Sequence, residues 1–219
     1  MGDMPLPSLR PALQTTLARL ALDVSEAKID SLLGYLSLMQ RWNAHYNLTA
    51  VREPAQMLTQ HLADCLAVIG PLRREVGNPP TRLLDVGSGG GLPGVVIAIL
   101  DPEIEVTCVE SVGKKAAFIQ QVAGELILRN LRAQHERVEQ FKTAPFDVVT
   151  SRAFASLVDF TNLTRQHVAE RGIWMAMKGK SPSDELAALP DAVQVFHVEQ
   201  LTVPDLNAER CLVWMRPTR

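Results

Sequence analysis

The residues best placed to do chemistry lie in one run, "RLLDVGSGGGLPGVVIAIL", from Arg82 to Leu100. Asp85, Gly87, Gly89 and Gly91 occupy alternate positions there, as Asp-x-Gly-x-Gly-x-Gly. Glycines at a strand-to-helix turn let backbone approach a ligand closely and aim amide groups at it. The dinucleotide fingerprint needs a further glycine three positions after the second, and Leu92 stands there instead. No Lys-Ser or Lys-Thr follows the loop, so a Walker-A phosphate loop does not fit either. A carboxylate at Asp85 would repel a pyrophosphate, whereas S-adenosylmethionine carries an ammonium and a sulfonium that it would attract. Glu110 closes the next apolar run, "IEVTCVE", where an acid can accept hydrogen bonds from both hydroxyls of a ribose. Dinucleotide sites also use such an acid, so Glu110 alone does not discriminate, and a turn without a ligand is the remaining alternative.

The elements that must position these residues follow from periodicity. The first 80 residues read as helical. Asp23 followed by Glu26 has the spacing of an N-cap and its partner, and Ile29, Leu32, Leu33, Leu36, Met39 and Trp42 then mark one apolar helix face. Pro54 suits a first helical position, with Met57, His61, Leu62, Cys65, Leu66 and Ile69 as the buried stripe of another helix. "GPLRREVGNPPT", Gly70 to Thr81, reads as turn. Beyond it the period shortens. "TRLLDV", "IEVTCVE", "FDVVTS" and "GIWMAMK" are strand-like, separated by helical stretches such as Lys114 to Asn130. That alternation implies a parallel sheet covered by helices on both faces. "AVQVFHVEQLTV" and "ERCLVWMR" have no long helix between them and are expected to pair antiparallel at a sheet edge. Two parts are expected: a helical segment, 1–80, packed on an α/β domain, 81–219.

Composition narrows the class. The chain has 219 residues, 47% hydrophobic and 21% charged, with net charge −2, which argues against coating nucleic acid through bulk charge. Charge is nevertheless uneven. Ser111 to Lys142 and Arg152 to Lys180 each carry +3, while Thr81 to Glu110 carries −4, so either a basic face exists on an acidic protein or these are solvated helix surfaces. Cys65, Cys108 and Cys211 lie far apart with no CxxC pair, so neither a metal site nor a disulfide framework is expected, and a reducing cytoplasm fits. "MGDMPLPSLRPAL" lacks the basic start and apolar core of a signal peptide, Leu6 does not suit myristoylation of Gly2, and no apolar run approaches a membrane span.

Taken in order, "RWNAHYNLTAV", "HLAD", "LLDVGSGGGLPG", "ESVGKKAAFI", "ERVEQF", "SRAFASL" and "MKGK" resemble the RsmG (GidB) family of 16S rRNA guanine-N7 methyltransferases, from about Asp23 to the C-terminus. The glycine motif is shared by many methyltransferases, but "YNLT", "GLPG" and "SRAFASL" together are narrow. Departures are mild: Gln60 and Cys65 stand where the family usually has Arg and Ser, and Glu110 where Asp is common. The resemblance implies a Rossmann-like class I S-adenosylmethionine-dependent methyltransferase fold, with a mostly parallel seven-stranded sheet, one antiparallel strand and N-terminal helices. It implies S-adenosylmethionine as cofactor and 16S rRNA, in the context of the small ribosomal subunit, as partner, with no metal and no membrane. Guanine N7 has a lone pair and no proton, so no general base is needed and no catalytic residue is expected; catalysis would be positioning in a preorganised, water-excluding site.

Residue roles follow from the same resemblance. Gly87, Gly89 and Leu92 line the cofactor, Glu110 holds its ribose, Val138 and Glu139 border its adenine, and Arg152 of "SRAFASL" reaches it near the reacting end. Val138 has a core residue as its alternative, and Glu139 a surface carboxylate beside Arg137. Arg152 follows "FDVVTS" at the rim where open α/β sheets bind ligands, and its guanidinium is expected to turn toward a carboxylate of the cofactor or an RNA phosphate. Lys114, Lys115 and Lys178 are the candidate RNA contacts, with solvation as the alternative for the first two. His61 reads as a core or hydrogen-bonded residue rather than a base, and His45, Tyr46 and Asn47 either touch a base or cap their helix. A small-molecule or protein methyltransferase, and a binding module without turnover, are the rival readings.

Overall fold

The computed structural model describes residues 9–77, 81–152, 154 and 156–218. Helix α1, Arg10–Arg19, packs its Leu13 and Leu17 against α2, Glu26–Tyr46. The apolar face expected of α2 is buried through Ile29, Leu32, Leu33, Leu36 and Met39, each such side chain stabilising by about 1.5–3 kcal/mol. Its start differs from expectation. The N-cap is Ser25 rather than Asp23, and Glu26 is drawn out of a capping role by the guanidinium of Arg10, at 2.6 Å. Asn47 ends α2 in the left-handed conformation, φ 49°, which asparagine tolerates well.

The next helical run starts at Pro54 as expected. It is α3, Pro54–Met57, then a π-helical segment, Leu58–Ala63, then α4, Asp64–Leu66. The stretch read as turn after Gly70 is instead α5, Ile69–Val76. Pro71 lies in its first turn, where the missing N–H was not needed by the helix, and burial of Ile69, Pro71 and Leu72 holds it. Gly77, φ 64°, terminates it; residues 78–80, the rest of the expected turn up to Thr81, lie outside the described residues.

The sheet contains β1 (Thr81–Val86), β2 (Ile104–Glu110), β3 (Leu131–His135), β4 (Phe146–Ser151), β5 (Val168–Lys178), β6 (Val193–Leu201) and β7 (Arg210–Pro217), in the order β3-β2-β1-β4-β5-β7-β6. β1 to β5 run parallel to one another, and β7 is antiparallel to both β5 and β6. β3, "LRAQH", is an edge strand with only Leu131 fully buried, which is why no apolar run announced it. The crossovers are α6 (Gly94–Leu100), α7 (Gly113–Glu125), α8 (Leu157–Thr164) and α9 (Ser183–Ala187). α7 therefore stops five residues short of Asn130.

Alternate strand residues enter opposite cores, as the two-residue period of a strand requires. Leu83, Val106, Met175 and Trp214 join α1, α2, α6 and α7 on one face; Leu84, Val109, Val149, Trp174 and Val213 join α8 on the other. The N-terminal helices thus share a core with the sheet. The strand order reverses between β1 and β4, whose register pairs Asp85 with Thr150, and such a switch point opens a crevice at the strand ends. Among the described residues, no helix is long and apolar enough to cross a membrane, and no group of three or more His, Cys, Asp or Glu could hold a metal ion.

Candidate functional site

The glycine run sits at that crevice, between β1 and α6. Gly87, Gly89 and Gly91 all have positive φ, at 65°, 58° and 88°. A side chain at Gly91 would put its Cβ 2.4 Å from Val95 Cγ2, so at that position both torsion and space demand glycine. Asp85 does not take the place that charge arithmetic assigned to it. It is fully buried, outside the cleft lining, and its Oδ2 accepts the Gly94 N–H at 2.9 Å. Burial pushes its pKa up to about 7, partly offset by that N–H. Asp85 therefore holds the turn to the start of α6 from below and does not face a cationic ligand. Gly94 permits the approach: a Cβ there would lie 2.6 Å from Cys108 Sγ and 2.9 Å from Asp85 Oδ2.

Glu110 is the carboxylate at the site. Its Oε2 accepts Gly89 N–H and its Oε1 accepts Val112 N–H, both at 2.8 Å, which ties β2 to the loop. Each carboxylate oxygen has a second lone pair, so this bracing leaves acceptor capacity toward the cleft. The loop is also held from α2, where the buried Tyr35 donates its hydroxyl to the Gly90 carbonyl at 2.5 Å. Burial raises the Tyr35 pKa well above its ordinary value, keeping it a donor.

Above the loop lies a cleft of about 230 Å3. Of the residues expected at the cofactor, Gly87, Gly89, Leu92, Glu110 and Arg152 line it. Val138 and Glu139 do not: Val138 is buried in the core under α8, its carbonyl accepting from His167 Nε2 at 2.8 Å, and Glu139 is exposed. Lys115, expected at RNA, lines this cleft, whereas Lys114 points outward and is exposed. The helical segment supplies a wall not foreseen from sequence, Met39, Leu48, Thr49 and His61. The only hints were the apolar stripe of α2 and the "YNLT" motif. Tyr46 itself is 46% exposed, packed on Trp42 at 4.9 Å between ring centroids, and Asn47 caps the helix.

Arg152 stands at the end of β4 and finds a partner within the protein. Its Nη1 donates to Asp64 Oδ2 and to the Gln60 carbonyl, each at 3.3 Å, so the carboxylate it faces is Asp64. Asp64 is buried and its other oxygen accepts Arg210 Nε at 2.8 Å. The π-helical turn just before Asp64 widens the helix where Gln60 and His61 face the crevice, a distortion common at functional sites. His61 Nε2 meets Thr49 Oγ1 at 2.7 Å; burial, then the nearby Arg152 charge, lowers its pKa, so the ring is neutral. Lys178 pairs with Glu185 at 2.9 Å and keeps 13% of its side chain exposed. The three cysteines are buried free thiols, and burial raises the pKa of each.

These residues fit S-adenosylmethionine. A Cβ at Gly89 would meet nothing within 4 Å, so the backbone there borders open space; Glu110 offers acceptors to a ribose; Met39, Leu48 and Leu92 supply apolar surface.

Comparison with known proteins identifies the family and the fold. The family described as rRNA small subunit methyltransferase G matches residues 28–213. A ribosomal RNA small subunit methyltransferase G of Acidovorax sp. (strain JS42) is 59% identical over 218 residues, 96% of this chain and 96% of that protein. The protein of the same name from Leptothrix cholodnii is 58% identical over 212 residues, 95% of this chain and 97% of its own. Among solved structures, a TehB-like SAM-dependent methyltransferase from Corynebacterium glutamicum superposes with TM-score 0.55 at 12% identity, over 84% of this chain and 98% of that one, a likeness of fold.

Proposed function

Because the chain belongs to the rRNA small subunit methyltransferase G family, we propose that the crevice between β1 and β4 is where it carries out that family's reaction. The protein is an S-adenosylmethionine-dependent methyltransferase that acts on N7 of a guanine in 16S rRNA. The cofactor supplies an electrophilic methyl group on a sulfonium, and everything else falls to this chain. Gly87, Gly89 and Leu92 border the cofactor, and Glu110 accepts hydrogen bonds from its ribose while bracing the loop. Arg152, held by Asp64, guards the reacting end. Val138 and Glu139, whose carbonyls accept from His167 and Gln166, border the cofactor's adenine from outside the residues that line the cleft.

The observation that carries this assignment is the double use of Glu110, whose oxygens hold Gly89 and Val112 while the carboxylate lines the cleft. No proton has to leave N7, so the chain needs no base; a neutral His61, and Glu110 as the one carboxylate lining the cleft among the described residues, suit a step made by alignment and exclusion of water. The N-terminal helical segment closes one wall of the cleft through Met39, Leu48, Thr49 and His61, and the α/β domain that begins with β1 binds the cofactor. Lys114, Lys115 and Lys178 contact RNA at the rim. The substrate is the small subunit or its assembling precursor, in the cytoplasm. Incubation with labelled S-adenosylmethionine and rRNA or small subunits from a strain lacking the gene, followed by mapping of the modified base, tests the reading. Label at one 16S guanine is expected; label on no RNA would refute it.

A further inference from the structure

A second cleft, of about 400 Å3, shares Arg152 and His61 with the cofactor cleft as a common wall. Three cations line it, Arg152, Lys178 and Arg210, against one carboxylate, Asp64. Asp64 is 2% exposed and already bonded on both oxygens, by Arg152 Nη1 at 3.3 Å and by Arg210 Nε at 2.8 Å. Lys178 is itself compensated by Glu185 at 2.9 Å, so the net positive charge of the cleft comes from Arg152 and Arg210 sharing the single carboxylate of Asp64. Arg210, the first residue of β7, is fixed at its base: besides the Asp64 bond, its Nη1 donates to the Glu209 carbonyl at 2.8 Å. Its side chain keeps 26% exposure, and Nη2 has no partner among the described residues. A guanidinium pinned through Nε and Nη1, with Nη2 left to donate, is preorganised to receive an anion.

We propose that this second cleft binds a backbone phosphate of the RNA strand beside the target guanosine, with Arg210 as the direct ligand. The inference rests on the rRNA reading above and deepens it. A base presented to the cofactor cleft carries its own phosphate within one nucleotide's reach, and only the Arg152–His61 wall separates that cleft from Arg210. Phosphate contacts of this kind fix register without reading sequence, which is what a positioning mechanism requires. Opposite charge alone would be served by the exposed lysines; the Asp64 anchor adds a fixed direction.

The test uses Arg210→Ala and Arg210→Gln in the full-length protein. Methyl transfer to unmethylated small-subunit rRNA is measured against rRNA concentration at several salt concentrations, with cofactor affinity by calorimetry. Both variants are expected to raise KM for rRNA about tenfold while kcat and cofactor affinity stay within about twofold. The slope of log affinity against log salt should fall by about 0.7, the value for one single-strand phosphate contact. The glutamine variant retains length and hydrogen bonding, so it decides the matter if the alanine variant folds poorly. Unchanged KM and salt slope in a folded variant, or a loss confined to kcat, overturns the phosphate site while leaving the enzyme assignment intact. A parent protein that methylates no small-subunit rRNA overturns both.

Discussion

Glu110 combines two tasks on one side chain, and substitution separates them. In Glu110→Gln one carboxylate oxygen becomes an amide nitrogen, which cannot accept, so either Gly89 N–H or Val112 N–H is left facing a donor. Hydrogen bonds to charged groups are worth about 1.5–3 kcal/mol, so S-adenosylmethionine affinity should fall by at least about tenfold in calorimetry. Affinity equal to that of the parent would remove Glu110 from the ribose. Arg152 calls for a different expectation from the one its rim position suggested. Had its partner been the ligand alone, loss of the guanidinium would leave stability untouched; with Asp64 buried against it, Arg152→Ala should lower unfolding free energy by about 1–3 kcal/mol and abolish most methyl transfer as well. Denaturant unfolding with unchanged midpoint would show that Arg210 alone satisfies Asp64.

At the scale of elements, α2 acts as a strap across the glycine turn. Tyr35 belongs to the same buried face as Leu32, Leu36 and Met39, yet its hydroxyl ends on the Gly90 carbonyl. Tyr35→Phe keeps the ring's packing beside Phe118 and deletes only that bond, which should cost about 0.5–1.5 kcal/mol of stability. Because the loop that loses its tether lines the cleft, cofactor affinity should drop alongside. Hydrogen exchange at Gly89 and Gly90 amides reads the mechanism directly: faster exchange is expected, and unaltered exchange with weaker binding would point to some other route.

For the whole molecule, the buried Asp85 makes stability depend on pH in an unusual direction. Its folded pKa near 7 exceeds the ordinary value of 3.8, so between these the folded state holds a proton that the unfolded chain has released. That contribution is fully present below about pH 4 and is lost as pH rises through 7. His61 works in the opposite sense: its lowered pKa makes its share present above about pH 6.5 and lost in acid. Asp85→Asn isolates the first effect, since an asparagine oxygen can still accept the Gly94 N–H without titrating. Urea midpoints at pH 5, 6, 7 and 8 should show the variant gaining on the parent as pH rises, and a difference independent of pH would mean that Asp85 does not titrate in the folded protein.

What could be read from the sequence alone was local. The turn at Asp85 to Gly91, the acid at the end of "IEVTCVE", the central strands and the apolar stripe of α2 are all periodicities or turn chemistry, written within a few residues of chain. The edge strand β3 escaped because a half-exposed strand of five residues needs no apolar run, and the π-helical widening at His61 has no composition of its own. Which charge meets which was decided only by tertiary structure. Asp64 receives Arg152 from 88 residues away and Arg210 from 146 residues away, and Asp85 is carried beneath the loop instead of into the cleft. Coulomb partners depend on distance in space and on burial, and neither is encoded by spacing along the chain.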